Sequence, residues 1–257
     1  MKRSQAIGFF DSGIGGLSVL ADAVRQLPHE RFLYLGDSAN APYGTKSDRE
    51  VLALSLKAVD LLVQQGIKAL VVACNTATGT AIAALREQYS FPIIGLEPAL
   101  KVAESNWKGG SILVLATPLT LASAKYQSLS AKYGEHAIAV PCPGLMDFVE
   151  REELDSPALD AYLNDLFLPY REQAISAVVL GCTHYLFLKR KIQACFEPGV
   201  PVLDSNEGVI RQLVNKLKEF DLLAPGTAPG SVCLTSTGGD DKLAQMHRML
   251  SLAQSQP

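Results

Sequence analysis

The sequence predicts an α/β fold of two lobes, each built on a mostly parallel sheet flanked by helices. Three observations predict it. Short strand-like runs alternate with segments of helical periodicity along the chain. That alternation pauses near Glu97–Pro98 and restarts at Ser111. Two stretches also look alike: Val71-Val72-Ala73-Cys74-Asn75-Thr76 and Val178-Val179-Leu180-Gly181-Cys182-Thr183-His184. Each carries a β-branched apolar run into a cysteine followed by small polar residues, and the two cysteines lie 108 positions apart.

The elements follow in order. Ala6–Phe10 is a strand, and Leu17, Leu20, Val24 and Leu27 fall on one helical face behind it. Arg31–Leu35 is the second strand, with Leu52, Leu56, Val59 and Val63 as its helix and Gly66 as the cap. Lys68–Ala73 is the third, followed by Ile82, Leu85 and Tyr89 at helical spacing, and Pro92–Leu96 the fourth. Ser111–Ala116 opens the second series, with Ala122, Tyr126, Leu129 and Tyr133 as one helix. Ser156–Pro157 is a helix start, Ser as N-cap and Pro in the first turn, leading through Leu159, Tyr162, Leu163, Leu166 and Tyr170. Ala177–Gly181 and Val200–Asp204 are strands, Val209, Ile210, Leu213 and Leu217 a helix face, and Ser231–Thr235 a last strand before a C-terminal helix. Crossovers near Glu97–Pro98 and Asp204–Asn206 predict residues 1–97 with 207–257 as the first lobe and 98–206 as the second.

The 257 residues, 48% of them hydrophobic, suffice for such cores. A net charge of −3 excludes a nucleic-acid-like basic balance, and Lys189-Arg190-Lys191 reads as a solvated helix face. No apolar run approaches the roughly 20 residues of a membrane span, and the start of the chain has no signal-peptide pattern. The cytoplasm is the expected location, with no membrane and no nucleic acid as partner. Five cysteines, Cys74, Cys142, Cys182, Cys195 and Cys233, form no CxxC pair and no metal-ligand spacing. They are expected as reduced thiols, with Cys195 and Cys233 as packing residues and no metal bound.

Ligands of parallel α/β sheets gather at the carboxyl ends of strands. Those ends carry Asp11-Ser12-Gly13, Asp37-Ser38, Cys74-Asn75-Thr76, Glu97, Thr117 and Cys182-Thr183-His184. Only a thiolate is a strong base or nucleophile, and each cysteine precedes an expected helix start, where free N–H groups and the dipole favour an anion. His184 lies within reach of Cys182. Asp11 heads Asp-Ser-Gly-Ile-Gly-Gly, which matches neither nucleotide-binding glycine pattern. It would hold a substrate ammonium, tune a thiol or cap a helix. Asn40-Ala41-Pro42-Tyr43-Gly44 is a turn that is either a plain connector or a set of N–H and amide donors aimed at a carboxylate. Neutral donors beside each sulfur suit a small zwitterion with carboxylates.

Asp11-Ser12-Gly13, Pro42-Tyr43-Gly44, Cys74-Asn75-Thr76 and Gly181-Cys182-Thr183-His184-Tyr185, in this order, closely resemble the glutamate racemases of the aspartate/glutamate racemase superfamily. The resemblance runs from about Ile7 to the C-terminal helix. It implies two pseudo-symmetric lobes with the active site in the cleft between them, and L- and D-glutamate interconverted by two cysteines without cofactor. Cys74 would act on D-glutamate and Cys182 on L-glutamate, with Asp11, His184 and Glu150 assisting. Asp11, Ser12, Pro42, Tyr43, Gly44, Cys74, Asn75, Thr76, Thr117, Thr120, Cys182, Thr183 and His184 would bind substrate. The resemblance further implies a homodimer and supply of D-glutamate for peptidoglycan. One departure is Leu186, where the family often has Pro. The alternatives are a racemase for aspartate or another amino acid, a Cys–His hydrolase using Cys182 and His184, and a non-catalytic amino-acid-binding protein of two hinged lobes.

Overall fold

The computed structural model describes residues 2–226 and 228–255. Its contacts divide the chain into two compact units, Met1–Leu96 with Asn206–Pro257, and Glu97–Ser205. No helix among the described residues is long and apolar enough to cross a membrane.

The first unit opens with β1 (Ala6–Asp11), α1 (Leu17–Gln26), β2 (Arg31–Gly36) and α2 (Asp48–Gln64), followed by β3 (Ile67–Val72), α3 (Asn75–Gln88) and β4 (Ile93–Gly95). Every residue of β1 and β3 is buried, which explains their near-continuous apolar character. Two charged residues break that character: Asp11, which ends β1, and Lys68, fully enclosed in β3. Its ammonium bonds Glu30 at 2.5 Å and the Arg3 carbonyl at 2.6 Å, so the buried charge is paired. Helix α2 starts at a reciprocal capping box between Ser47 and Glu50. Just past its end Gly66 takes φ +78°, a left-handed conformation that other residues disfavour.

The second unit holds α4 (Leu100–Ser105), β5 (Ser111–Ala116), α5 (Pro118–Ala122), α6 (Ala124–Tyr133), β6 (Ala137–Pro141) and α7 (Leu145–Glu150). It continues with α8 (Pro157–Phe167), β7 (Ile175–Leu180), α9 (Lys189–Gln193) and β8 (Val202–Leu203). Leu100, Ile112, Val114, Tyr126 and Val179 pack into its core. The chain then returns to the first unit as α10 (Asn206–Glu219), β9 (Ser231–Ser236) and α11 (Asp240–Ser255).

Both sheets are wholly parallel, and their topologies correspond. The first runs β4-β3-β1-β2-β9 and the second β6-β5-β7-β8. Read from the opposite edge, the second is β8-β7-β5-β6, which matches β4-β3-β1-β2 strand for strand. The backbone repeats the match in detail. A register shift falls at the first residue of the β1–β3 ladder and again at the first of the β5–β7 ladder. Beyond the ladders, the Ala73 N–H bonds the Phe10 carbonyl and the Gly181 N–H the Leu115 carbonyl, both at 2.7 Å. The Asp37 N–H bonds the Asp11 carbonyl at 2.9 Å, and the Cys142 N–H the Ala116 carbonyl at 3.0 Å. Cys74 and Cys182 therefore hold equivalent places. In each sheet the strand order reverses beside β1 or β5, and such reversals are where open α/β sheets leave a crevice at their carboxyl ends.

Several expectations are corrected. Residues 122–133 are not one helix. Ser123 is extended, its hydroxyl accepts the Tyr126 N–H at 3.2 Å, and this cap restarts the chain as α6. Tyr170 lies in a 3₁₀ turn after α8, and the strand expected over 200–204 is reduced to β8. Strand β6 and helix α7 were not foreseen. Cys195 and Cys233 are exposed rather than packed inside. The second of these lies on β9, the edge strand of the first sheet, where one flank has no neighbouring strand among the described residues.

Candidate active site

In the first unit β1 ends on Asp11 and β3 leads into Cys74. Both belong to the pair of strands at the order reversal. Cys74 is the N-cap of α3, and its sulfur accepts the Ala77 N–H at 3.4 Å. The Ser12 hydroxyl lies 3.6 Å from the same sulfur. A 14-residue helix thus points its positive end at a thiol whose charged form it favours. Asp11 does not cap α1, whose N-cap is Gly16 without a side-chain bond. Its carboxylate accepts the Gly13 N–H at 2.7 Å, folding the Asp-Ser-Gly turn back on itself. Of the glycines in that loop, Gly16 is required by close packing. A Cβ there would stand 2.9 Å from the Asp11 Cβ and 2.8 Å from that of Ala73, so α1 approaches the strand ends only because none is present.

Asn75 and Thr76, the first residues of α3, are buried beside Cys74. The Asn75 amide nitrogen is shut off from solvent and has no hydrogen-bond partner among the described residues. A buried donor without an acceptor is costly, and a ligand carboxylate would relieve that cost. Pro42 and Gly44 are half-buried and Tyr43 buried, in a loop of two 3₁₀ turns. The Tyr43 phenol donates to Asp37 at 2.6 Å. Burial above all, then this bond and the nearby Asp37, Cys74 and Asp11 charges, holds the phenol proton far more tightly than usual. The Asn40 amide, expected to face a substrate carboxylate, instead donates to Asp37 at 2.9 and 3.1 Å. Thr237 donates a further bond at 2.7 Å. Asp37 is thus the buried anchor of the Pro-Tyr-Gly loop. Its place just past a strand end, the position Asp11 also approaches, was the only sequence signal for it.

The second unit offers the equivalent sulfur a different setting. Cys182 follows β7, but Thr183–Leu188 after it is a 3₁₀ turn, not the α-helix expected, and no backbone N–H caps through the sulfur. Leu186 lies inside this turn and Lys189 begins α9. In place of a helix end stands His184, with Nδ1 3.8 Å from the Cys182 sulfur and Nε2 2.9 Å from the Glu150 carboxylate. Both ring nitrogens are thus engaged. Burial lowers the imidazole's proton affinity, but the bonds and charges of Cys182 and Glu150 outweigh it and hold the proton well above the usual histidine range. Glu150 ends α7, so the unforeseen helix is what delivers this carboxylate. Thr117 caps α5: its hydroxyl accepts the Thr120 N–H at 3.2 Å and lies 2.9 Å from the Thr120 hydroxyl. Both threonines and Thr183 are buried. Cys142 stands in the backbone position equivalent to Asp37. Burial, with the Cys182 charge, pushes its thiol up to about 12, so it stays protonated.

Residues 12–213 match the family model described as Asp/Glu/Hydantoin racemase. The chain belongs to this racemase family. A curated glutamate racemase from Clostridium acetobutylicum is 44% identical over 254 residues, covering 97% of this chain and 99% of its own. The solved structure of a glutamate racemase isoform from Bacillus anthracis aligns with a TM-score of 0.86 at 32% identity, covering 97% of this chain and 94% of that one. The glutamate racemase of Francisella tularensis, solved in complex with D-glutamate, aligns at 0.84 and 27% identity, covering 97% and 94%. These racemase structures share the two-sheet α/β architecture described above.

Proposed function

We propose that this chain interconverts L- and D-glutamate by a two-base route in which Cys74 and Cys182 exchange a proton with the α-carbon. One observation supports it above the rest. Equivalent strands of two matching sheets each lead into a buried thiol with a partner suited to a thiolate. Inversion by two bases needs a thiolate on one face of the α-carbon and a thiol on the other, and each unit supplies one. Which cysteine is the base alternates with direction. Cys182 would take the proton of L-glutamate and Cys74 that of D-glutamate.

The remaining residues have physical roles in this proposal. The α3 terminus and Ser12 hold the Cys74 thiolate, with Asp11 beside them to receive the substrate ammonium. His184, oriented by Glu150, does the same for Cys182 as an imidazolium. Asn75, Thr76, Thr183 and the Thr117–Thr120 pair donate to the substrate carboxylates, steadying the charge that grows on the α-carboxylate as the proton leaves. The Pro42-Tyr43-Gly44 loop, fixed by Asp37, completes the wall. No step calls for a cofactor. The proposal extends to a cytoplasmic homodimer that feeds D-glutamate to peptidoglycan synthesis.

A second reading has a specific observation behind it: Cys182, His184 and Glu150 line up as the thiol, imidazole and carboxylate of a hydrolase. Serine at each cysteine separates the two. Cys74→Ser and Cys182→Ser each lower racemization of glutamate, followed by circular dichroism on dialysed protein, about 10³-fold or more. Full activity in Cys74→Ser would contradict the two-base proposal. Faster turnover of aspartate than of glutamate would move the substrate assignment.

A further inference from the structure

A group of ligating side chains lies at the opposite end of the second sheet from Cys182. His136 immediately precedes β6, and its carbonyl accepts the Ile112 N–H at 2.9 Å, which places it at the amino end of the strands. Its Nδ1 is 2.6 Å from a carboxylate oxygen of Glu104, on α4. Glu135 adds a second carboxylate, and the three ligand atoms lie within 4.8 Å of one another.

Three features mark this as more than a surface ion pair. Neither carboxylate has a lysine or arginine partner among the described residues, so one imidazole faces two negative groups. The second oxygen of Glu104 is sealed from solvent and has no hydrogen-bond partner among the described residues. Such a buried, unsatisfied carboxylate oxygen is expensive unless a cation or donor reaches it. The ring is also fixed before any ligand arrives. Trp107 stacks on His136 with centroids 3.7 Å apart at 16°, and the indole N–H is anchored to the Gly110 carbonyl at 2.7 Å. A held imidazole with two carboxylates in reach is a donor set for a first-row divalent cation.

We propose that Glu104, Glu135 and His136 bind a divalent transition-metal ion of the zinc class, in a site separate from the racemization chemistry. The ion would replace the hydrogen bond between His136 and Glu104 and engage the carboxylate on both. Glu135, exposed and free to change rotamer, closes the set, and water completes the coordination. The ion thereby ties α4 to the start of β6, across the amino end of the second unit's core.

The chain reports on its own site, because Trp107 is its only tryptophan and lies one ring away from the ligand nitrogen. Full-length protein stripped with a chelator is titrated with Co²⁺ while Trp107 fluorescence is followed. Saturable quenching is expected, reversed by Zn²⁺, which binds the same donors without a paramagnetic centre. His136→Gln and Glu135→Gln are each expected to weaken binding at least about tenfold, and to leave glutamate racemization without metal unchanged. Should His136→Gln fail to fold, Glu135→Gln, altered only at the surface, carries the comparison. Absence of saturable quenching, or equal titrations in wild type and Glu135→Gln, would overturn the proposal.

Discussion

The two halves of this chain reach the same sulfur by the same route and then treat it differently. Cys74 and Cys182 follow equivalent strands, β3 and β7, and the backbone bond just before each is 2.7 Å in both. Past that point the first unit continues into a 14-residue α-helix and the second into a six-residue 3₁₀ turn. A helix end supplies a fixed dipole and an N–H at 3.4 Å from sulfur. A 3₁₀ turn supplies less, and the second unit has an imidazole backed by a carboxylate instead. The fold repeats, then, while the means of stabilising an anion does not. One half uses backbone, which no side-chain substitution removes. The other uses side chains, which can be removed one at a time.

This difference sets the order of expected effects. His184→Asn should be the most damaging change outside the cysteines, lowering kcat/KM about 10²-fold. Enantiomers have equal free energy, so the loss must be the same in both directions; polarimetry from each side checks this. Glu150→Gln should cost about tenfold, since it leaves the ring in place but removes the charge that orients it. NMR of the His184 ring should show its titration moved to lower pH. Stability follows with a defined sign. A histidine whose folded-state proton affinity is raised contributes fully below the ordinary imidazole range and loses that contribution as pH rises through the raised value. Thermal melts from mildly acidic to alkaline pH should therefore show Glu150→Gln losing stability earlier than wild type. Smallest is Ser12→Ala, expected to reduce kcat/KM about fivefold, because the backbone donor to Cys74 stays. A loss in Ser12→Ala as large as in His184→Asn would erase the contrast between the halves.

Much of this was legible in the sequence, for reasons that can be named. Buried parallel strands such as β1, β3 and β7 announce themselves as apolar runs, and the residues just beyond them mark the crevice. Ser156–Pro157 and Gly66 gave helix boundaries because capping chemistry is local. Strand β6, Ala137–Pro141, escaped although its five residues are all apolar, because the run is short, ends on a proline and buries only Val140. The break at Ser123 escaped because an apolar face continues across it. The nature of the turn after Cys182 could not be read from residues that suit either helix. Asp37 was visible only as an acid past a strand. Its value depends on Tyr43, Asn40 and Thr237 converging on it, and Thr237 is 200 residues away in the chain.

The two-base claim is tested most directly by the fate of the α-proton. L-glutamate is incubated with the protein in deuterated water, and both enantiomers are analysed by mass at low conversion. D-glutamate carrying one α-deuteron is expected, while unreacted L-glutamate retains its proton. Deuterium entering the L-glutamate pool as fast as the product, or product that keeps the original proton, would mean that one group serves both faces and would contradict it.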